Sequence, residues 1–526
     1  VTTSTSRDRV AILLALFAPL VTACTERSPG DGADSGPTIF DIDADTVLDA
    51  GGSDASLDAY VPREPVVFIA SGAPSDAPDR FAGDGRSAQL PVVRYPVDGT
   101  MVPPNLSGLE IHWEPNGHTL FELRFDQDDE TVLLVYAPCS VRGEGCALEL
   151  GDLMWDELAE DRARGSYEVR VRGVGGEGAL IGESEPITIE LATEAVTGGL
   201  YFWSTDPAAI HRYDFDRGHR TSELFFDSAD SGGHCVGCHA LSRDGQTIAI
   251  GYGTTGPIAM VDVATRTESR QLDAEMSSFS PDGMELVTGG IPGSDVRPLQ
   301  IVRTDGTGEP LVLGEGAAPD WAPDGRAIVF TDPAEALRIT ERDDAGTWTL
   351  RTAPLARTGA RDEFGAFAPD SEWIAFSRIT PSHLPGGIES HVYVVGREGG
   401  GTEQQLMRAS TGTLDSMPRW NPSIFLHRRP GEGTGRRLFW ITFTSNMQFG
   451  VEPSDRRRTI WMAAFDPGAE DGDPSYPAFR LPFQPTTGSN FIPQWTTRVQ
   501  RMPCDDNGDC RRGEMCTDGI CVPEII

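Results

Sequence analysis

Residues 232–253 read GGHCVGCHALSRDGQTIAIGYG, and they place Cys235, Cys238 and His239 in a Cys-x-x-Cys-His run. That spacing suits three chemistries. Two thiols can form thioether bonds to the vinyl groups of a c-type haem while the following histidine ligates its iron. The same two thiols can close a short disulfide. With His234 and His239 nearby, two thiolates and one or two imidazoles can instead hold zinc or copper.

The other seven cysteines fall into separate groups. Cys24 ends the run Val21-Thr22-Ala23-Cys24. Cys139 and Cys146 flank the loop CSVRGEGC and can close it as a disulfide. Cys504, Cys510, Cys516 and Cys521 lie in CDDNGDCRRGEMCTDGIC, a segment too short to build a core. Outside the cytoplasm, four cysteines so closely spaced read as two disulfides, with three possible connectivities. The DDNGD stretch has carboxylates at calcium-loop spacing but lacks the rest of an EF-hand, so it reads as a polar turn.

The elements that must position these residues are mainly strands. HALSRDGQTIAIGYG, SSFSPDGMELVTGG, PDWAPDGRAIVFTD and GAFAPDSEWIAFSR share an apolar anchor, a turn of Pro-Asp-Gly type and an apolar strand. The anchors are Leu241, Phe279, Trp321 and Phe367, followed by Trp420 and Trp495 at gaps of 38, 42, 46, 53 and 75 residues. Such a period fits one four-stranded propeller blade per anchor, with six blades in all. Nothing of the repeat follows Trp495, so the strands of residues 198–226 are expected to pair with the last segment and close the ring.

These repeats resemble the TolB-like six-bladed β-propellers, whose blades carry a W-S-P-D-G-x-x-I-A-F pattern. The resemblance spans about residues 197–500. It implies the fold, and a platform for binding proteins. It departs from TolB in having a Cys-x-x-Cys-His run and a different amino-terminal domain.

Registered on the anchors, Cys238, Met276 and Met417 stand three residues ahead of Leu241, Phe279 and Trp420. These positions are expected in loops at one mouth of the central channel. Cys235, Cys238 and His239 would then face that mouth, where one covalent haem c could lie. His239 would be the proximal iron ligand. Met276 is the first candidate for the sixth, ahead of Met417, Met260, His211 and His219. A methionine there would raise the reduction potential relative to a second histidine.

Ahead of the propeller lies a domain over residues 66–195, in which residues 90–194 alternate apolar and polar positions in LEIHWEP, LFELRFDQ, TVLLVYAP, SYEVRVRGVG and PITIELAT. Period two with turn punctuation predicts antiparallel strands in an immunoglobulin- or fibronectin-like sandwich, with one short helix within 152–164. The fold class is therefore all-β: a sandwich, then the propeller over residues 196–500, then a disulfide-rich tail over residues 501–526.

The first 23 residues read as a signal peptide: Arg7 and Arg9 precede an apolar run too short to span a bilayer. Its end resembles the bacterial lipoprotein motif, which implies lipidation at Cys24, attachment to the membrane and, with no aspartate following, the outer membrane. Residues 24–65, rich in Asp, Gly, Ser and Pro, read as an acidic tether. The net charge of −37 disfavours nucleic acid.

Two functions from different classes follow. One is an envelope lipoprotein whose single haem transfers electrons to, or senses the redox state of, an envelope partner. The other is a non-catalytic propeller scaffold for proteins or glycans, in which Cys235 and Cys238 form a disulfide. An enzyme is the least supported. There is no Gly-x-Ser-x-Gly elbow, and His211, His219 and His234 beside Asp206, Asp214 and Asp216 read as solvated loop residues.

Overall fold

A computed structural model describes residues 64–523, apart from 84, 107, 161–164, 176–179, 219, 254–255, 295, 357–360, 383–386, 401–402, 430–433, 455–456, 470–471 and 512–513. The signal peptide, Cys24 and nearly all of the tether lie outside the described residues.

Six antiparallel sheets form the propeller. Blade 1 is built from Gly199–Thr205, Ala208–Asp214 and Glu223–Phe226, and its innermost strand, Asn490–Thr496, comes from the far end of the chain. Blades 2 to 5 begin with the inner strands Val236–Leu241, Met276–Phe279, Ala317–Trp321 and Arg361–Phe367. Blade 6 begins with Ser416–Trp420. The pairing of Leu200 with Trp495 closes the ring, so neither terminal blade leaves an open inner edge.

Each anchor has the same partner type on the neighbouring strand. Leu241 faces Ile248, Phe279 faces Leu286, Trp321 faces Ile328, Phe367 faces Ile374 and Trp420 faces Ile441. The turn after the anchor is also built alike. In blade 2 the Ser242 backbone N–H donates to Thr247 O, and Asp244 Oδ1 accepts from Gln246 N. Gly245, Gly283 and Gly325 hold φ near +70° (71°, 71° and 75°), which glycine adopts without strain. Blade 5 places Ser371 there at φ 64°.

The amino-terminal region is a two-sheet sandwich. Its larger sheet runs through Val66–Ile69, Glu130–Pro138, Leu120–Gln127, Ser166–Val174, Ile187–Leu191 and Thr100–Val102. Its smaller sheet holds Val92–Tyr95, Glu110–Glu114, Gly145–Glu149 and Val141–Arg142. The expected all-antiparallel pattern fails at both edges of the larger sheet. Val66–Ile69 joins Glu130–Pro138 in parallel, and Thr100–Val102 joins Ile187–Leu191 in parallel. The helix is Asp152–Glu160.

Sandwich and propeller share one apolar core. It runs from Trp113, Phe125 and Tyr167 through Leu200 and Phe202 of blade 1 to Trp440 and Phe479 of blade 6. At the junction the Phe449 ring meets His112 at 4.5 Å and Tyr95 at 4.8 Å, and Tyr95 Oη accepts from Arg480 N. The Cys139–Cys146 disulfide closes the expected loop, and that loop presses on the propeller. Gly143, at φ 52°, has no room for a side chain: a Cβ there would sit 2.4 Å from Val451 O.

The carboxy-terminal segment carries the disulfides Cys504–Cys516 and Cys510–Cys521, one of the three connectivities open to it. DDNGD forms a capped turn in which Asp506 accepts from Gly508 N. Arg511 pairs with Asp230, and Arg266 of blade 2 with Glu514, so this segment is docked on blade 2.

Candidate functional site

The residues three positions ahead of the six anchors are Cys238, Met276, Ala318, Phe364, Met417 and Ile492. All six are buried and belong to one apolar cluster at the propeller axis. Ala318, Phe364, Met417 and Ile492 hold left-handed backbone at φ between 44° and 56°, and all four coincide with a register shift in the ladder of their own inner strand. Such a bulge re-aims a side chain. Five of the six inner strands carry such a slip, blade 3 being the exception, and the six side chains pack together, so the channel is filled rather than open at this level.

This arrangement corrects the expectation for the Cys-x-x-Cys-His run. Cys238 and His239 are not in a mouth loop: they lie inside the innermost strand, Val236–Leu241, and are 8% and 5% exposed. Only Cys235, just before the strand, reaches the half-buried zone. The inner strand starts earlier than the repeat pattern suggested, because Val236 pairs with Tyr252 beyond a bulge. His234 is exposed and stacks on the Tyr252 ring at 4.9 Å.

Burial fixes the chemical state of both residues. It pushes the Cys238 thiol up to about 12, with the nearby Glu275 carboxylate adding to the effect. It pulls His239 down to about 4, so the imidazole is neutral at pH 7. His239 Nδ1 lies 3.3 Å from Gly237 O, and the ring also faces the Tyr201 backbone. A thiol held protonated is neither a nucleophile nor a ready ligand.

A covalent haem needs both sulfurs and the imidazole on one side of a porphyrin. Here the groups diverge. Cys238 lies toward Glu275 of blade 3, and His239 toward the Tyr201 backbone of blade 1. Cys238 is a free buried thiol and is not bonded to Cys235. The residues as folded therefore do not fit a covalent haem, and the alternative Cys235–Cys238 disulfide is not formed either.

The remaining candidates scatter. Met276 and Met417 share the axial cluster with Cys238, whereas Met260 is in the separate core between blades 2 and 3. His211 is buried on the other face of blade 1, stacked on Phe202, and burial lowers it to about 4. His219 lies outside the described residues. Among the described residues, three metal-capable side chains converge only at Cys504, Cys510 and Cys521, whose sulfurs are spent in disulfides.

Sequence reasoning missed a ring of buried charge next to the apolar plug. Glu363 is fully buried against the Arg361 guanidinium, and burial raises its carboxyl to about 7. Asp415, also fully buried, accepts from Ser410 Oγ, Ser445 Oγ and Gly412 N. Glu275 accepts from Ile291 N, Ser294 Oγ and Arg297. The signal was present: Glu275 and Glu363 both stand four residues before an anchor, in DAEMSSF and RDEFGAF. These contacts tie loops to inner strands.

No protein-family model matches the chain, and no curated protein does. Solved structures give weak likenesses. A hydrazine synthase chain of Kuenenia stuttgartiensis is 14% identical, with a TM-score of 0.30 over 45% of this chain and 71% of that one. A chain of a nidogen/laminin complex is 12% identical, with a TM-score of 0.37 over 57% of this chain and 99% of its own. The β-propeller domain of Cps50 (Swd1) from Myceliophteria thermophila is 10% identical, with a TM-score of 0.28 over 44% and 90%.

Proposed function

We propose that this chain is a non-catalytic binding scaffold of the bacterial cell envelope, held to the membrane by a lipid at Cys24. One observation carries the reading: sandwich and propeller are welded through a single core, while the propeller axis is plugged by packed side chains. A filled axis offers no conduit and no reaction cavity. A rigid two-domain body presents a fixed composite surface, which is what a scaffold needs. The TolB-like repeat pattern supports a protein as the partner. The acidic charge favours a basic one at low salt.

The test uses the full chain, exported in a bacterium that has the haem-attachment machinery. A photo-crosslinking residue is placed on the exposed propeller face, and the denaturing gel is stained for haem peroxidase. The expected result is a discrete crosslinked adduct without a haem-stained band. A stained band that vanishes in Cys235→Ser and Cys238→Ser variants would overturn the scaffold reading in favour of the haem protein. Absence of any adduct from all probed positions would overturn it too.

A further inference from the structure

A cleft of about 280 Å³ opens on the propeller wall between blades 2 and 3. One side is the outer strand of blade 2, Glu268–Leu272, and the other is Pro298–Arg303 of blade 3. Its apolar lining includes Leu272, Ala274 and Val302. Three guanidiniums, from Arg270, Arg297 and Arg303, converge on it in a chain that has 43 basic residues against 80 acidic ones.

The three arginines are not equally committed. Arg303 gives Nε and Nη2 to Asp305, which leaves Nη1. Arg297 gives Nε and Nη2 to Glu275, and its Nη1 has only the distant Asp273 carboxylate at 3.7 Å. Arg270 makes no ion pair among the described residues. Its Nη1 donates to Arg303 O, and a Cβ at Gly306 would lie 2.6 Å from that nitrogen. Gly306, at φ +79°, thus leaves the space in which the Arg270 side chain is held.

We propose that this cleft binds a small organic monocarboxylate with an apolar body. Three cations are already balanced by three nearby carboxylates, so the cleft has donors to spare but little excess charge. That favours a single negative charge over a dianionic phosphate. A guanidinium edge matches the two oxygens of a carboxylate. The apolar lining takes the rest of the ligand, and the volume sits just below the usual range for drug-sized molecules, which limits it to a small one. The site is independent of the scaffold reading, since it needs neither a partner protein nor the lipid at Cys24.

The probes are n-alkanoates from butanoate to octanoate, with the matching n-alkanols as neutral controls. Melting temperature and calorimetric titration are the readouts, on the full chain. A saturable rise in melting temperature with the alkanoates and not the alkanols is expected. Arg270→Gln should weaken alkanoate binding about tenfold or more, since hydrogen bonds to charged groups carry such effects. Without ligand this variant should stay folded and melt slightly below the wild type, because Arg270 loses one hydrogen bond to Arg303 O but no ion pair. Arg270→Lys, which keeps the charge and loses the fork, should fall between. No saturable binding, equal binding of alkanols, or unchanged affinity in a folded Arg270→Gln variant would each overturn the proposal.

Discussion

Replacing Glu190 with Gln should loosen the junction between sandwich and propeller in a pH-dependent way. Glu190, in the sandwich strand Ile187–Leu191, accepts from His427 Nε2 at 2.9 Å and from Arg429 through both its oxygens at 2.6 and 2.7 Å. His427 and Arg429 belong to blade 6 and the loop after it. Although burial alone would raise the carboxyl, these partners hold it at about 2, against an ordinary 4.5. A gap of that size corresponds to about 3 kcal/mol, at about 1.4 kcal/mol per tenfold. The folded value is depressed, so this stability is present above pH 4.5 and is lost as the pH falls toward 2. Glu190→Gln should therefore cost about 3 kcal/mol at pH 7. The difference between wild type and variant should shrink toward zero in strong acid. Other carboxylates titrate in both proteins, so the difference isolates this one. Urea unfolding followed by tryptophan fluorescence at several pH values measures it. A variant as stable as the wild type at pH 7, or a difference that does not change with pH, would refute the reasoning.

Three further outcomes are expected. Gly143→Ala should destabilise the protein by about 1–3 kcal/mol, because it adds left-handed strain and a clash with Val451 O at the junction; urea midpoints check this. Phe364→Ala, which empties part of the axial plug, should cost about 3–5 kcal/mol in the same assay, and a cost below about 1 kcal/mol would mean that the plug is not tightly packed. Cys238 should resist iodoacetamide in the folded protein at pH 8 and react after unfolding, as read by mass spectrometry of its peptide; rapid labelling of the folded protein would place the thiol near the surface.

The blades were legible because their signals are local. An anchor, an Asp-Gly turn and an apolar strand lie within about fifteen residues, and the turn needs glycine for a backbone reason. The ring closure was legible too, since blade 1 had strands at the front and an anchor at the end. The junction was not. Glu190 and His427 are 237 residues apart, and neither stands in a patterned segment. The axial bulges were equally hidden. A one-residue slip in a strand turns a side chain from one face to another, and sequence alternation does not record it. That slip is why Met417 and Phe364 are plug residues, and why the residues before each anchor belong to strands and not loops.

The same packing accounts for the state of the Cys-x-x-Cys-His run. Its chemistry depends on charge or lone pairs at Cys238 and His239: a thiolate to attack or bind, an imidazole nitrogen to ligate. Around them stand Met276, Met417, Phe364 and Ile492, none of which can solvate a charge. Desolvation therefore holds the thiol protonated, which disables it as nucleophile and ligand. It holds the imidazole neutral, the form that can ligate, so His239 is kept from reacting by its burial and not by its protonation state. The charges that do reach them, the Glu275 carboxylate at Cys238 and the Arg419 guanidinium at His239, push in the same direction as burial. To expose Cys238 and His239, the inner strand of blade 2 would have to leave the ring, and with it the ladder from Val236–Tyr252 to Leu241–Ile248. Stability of the propeller and reactivity of this motif are thus opposed, and in the folded chain the propeller wins.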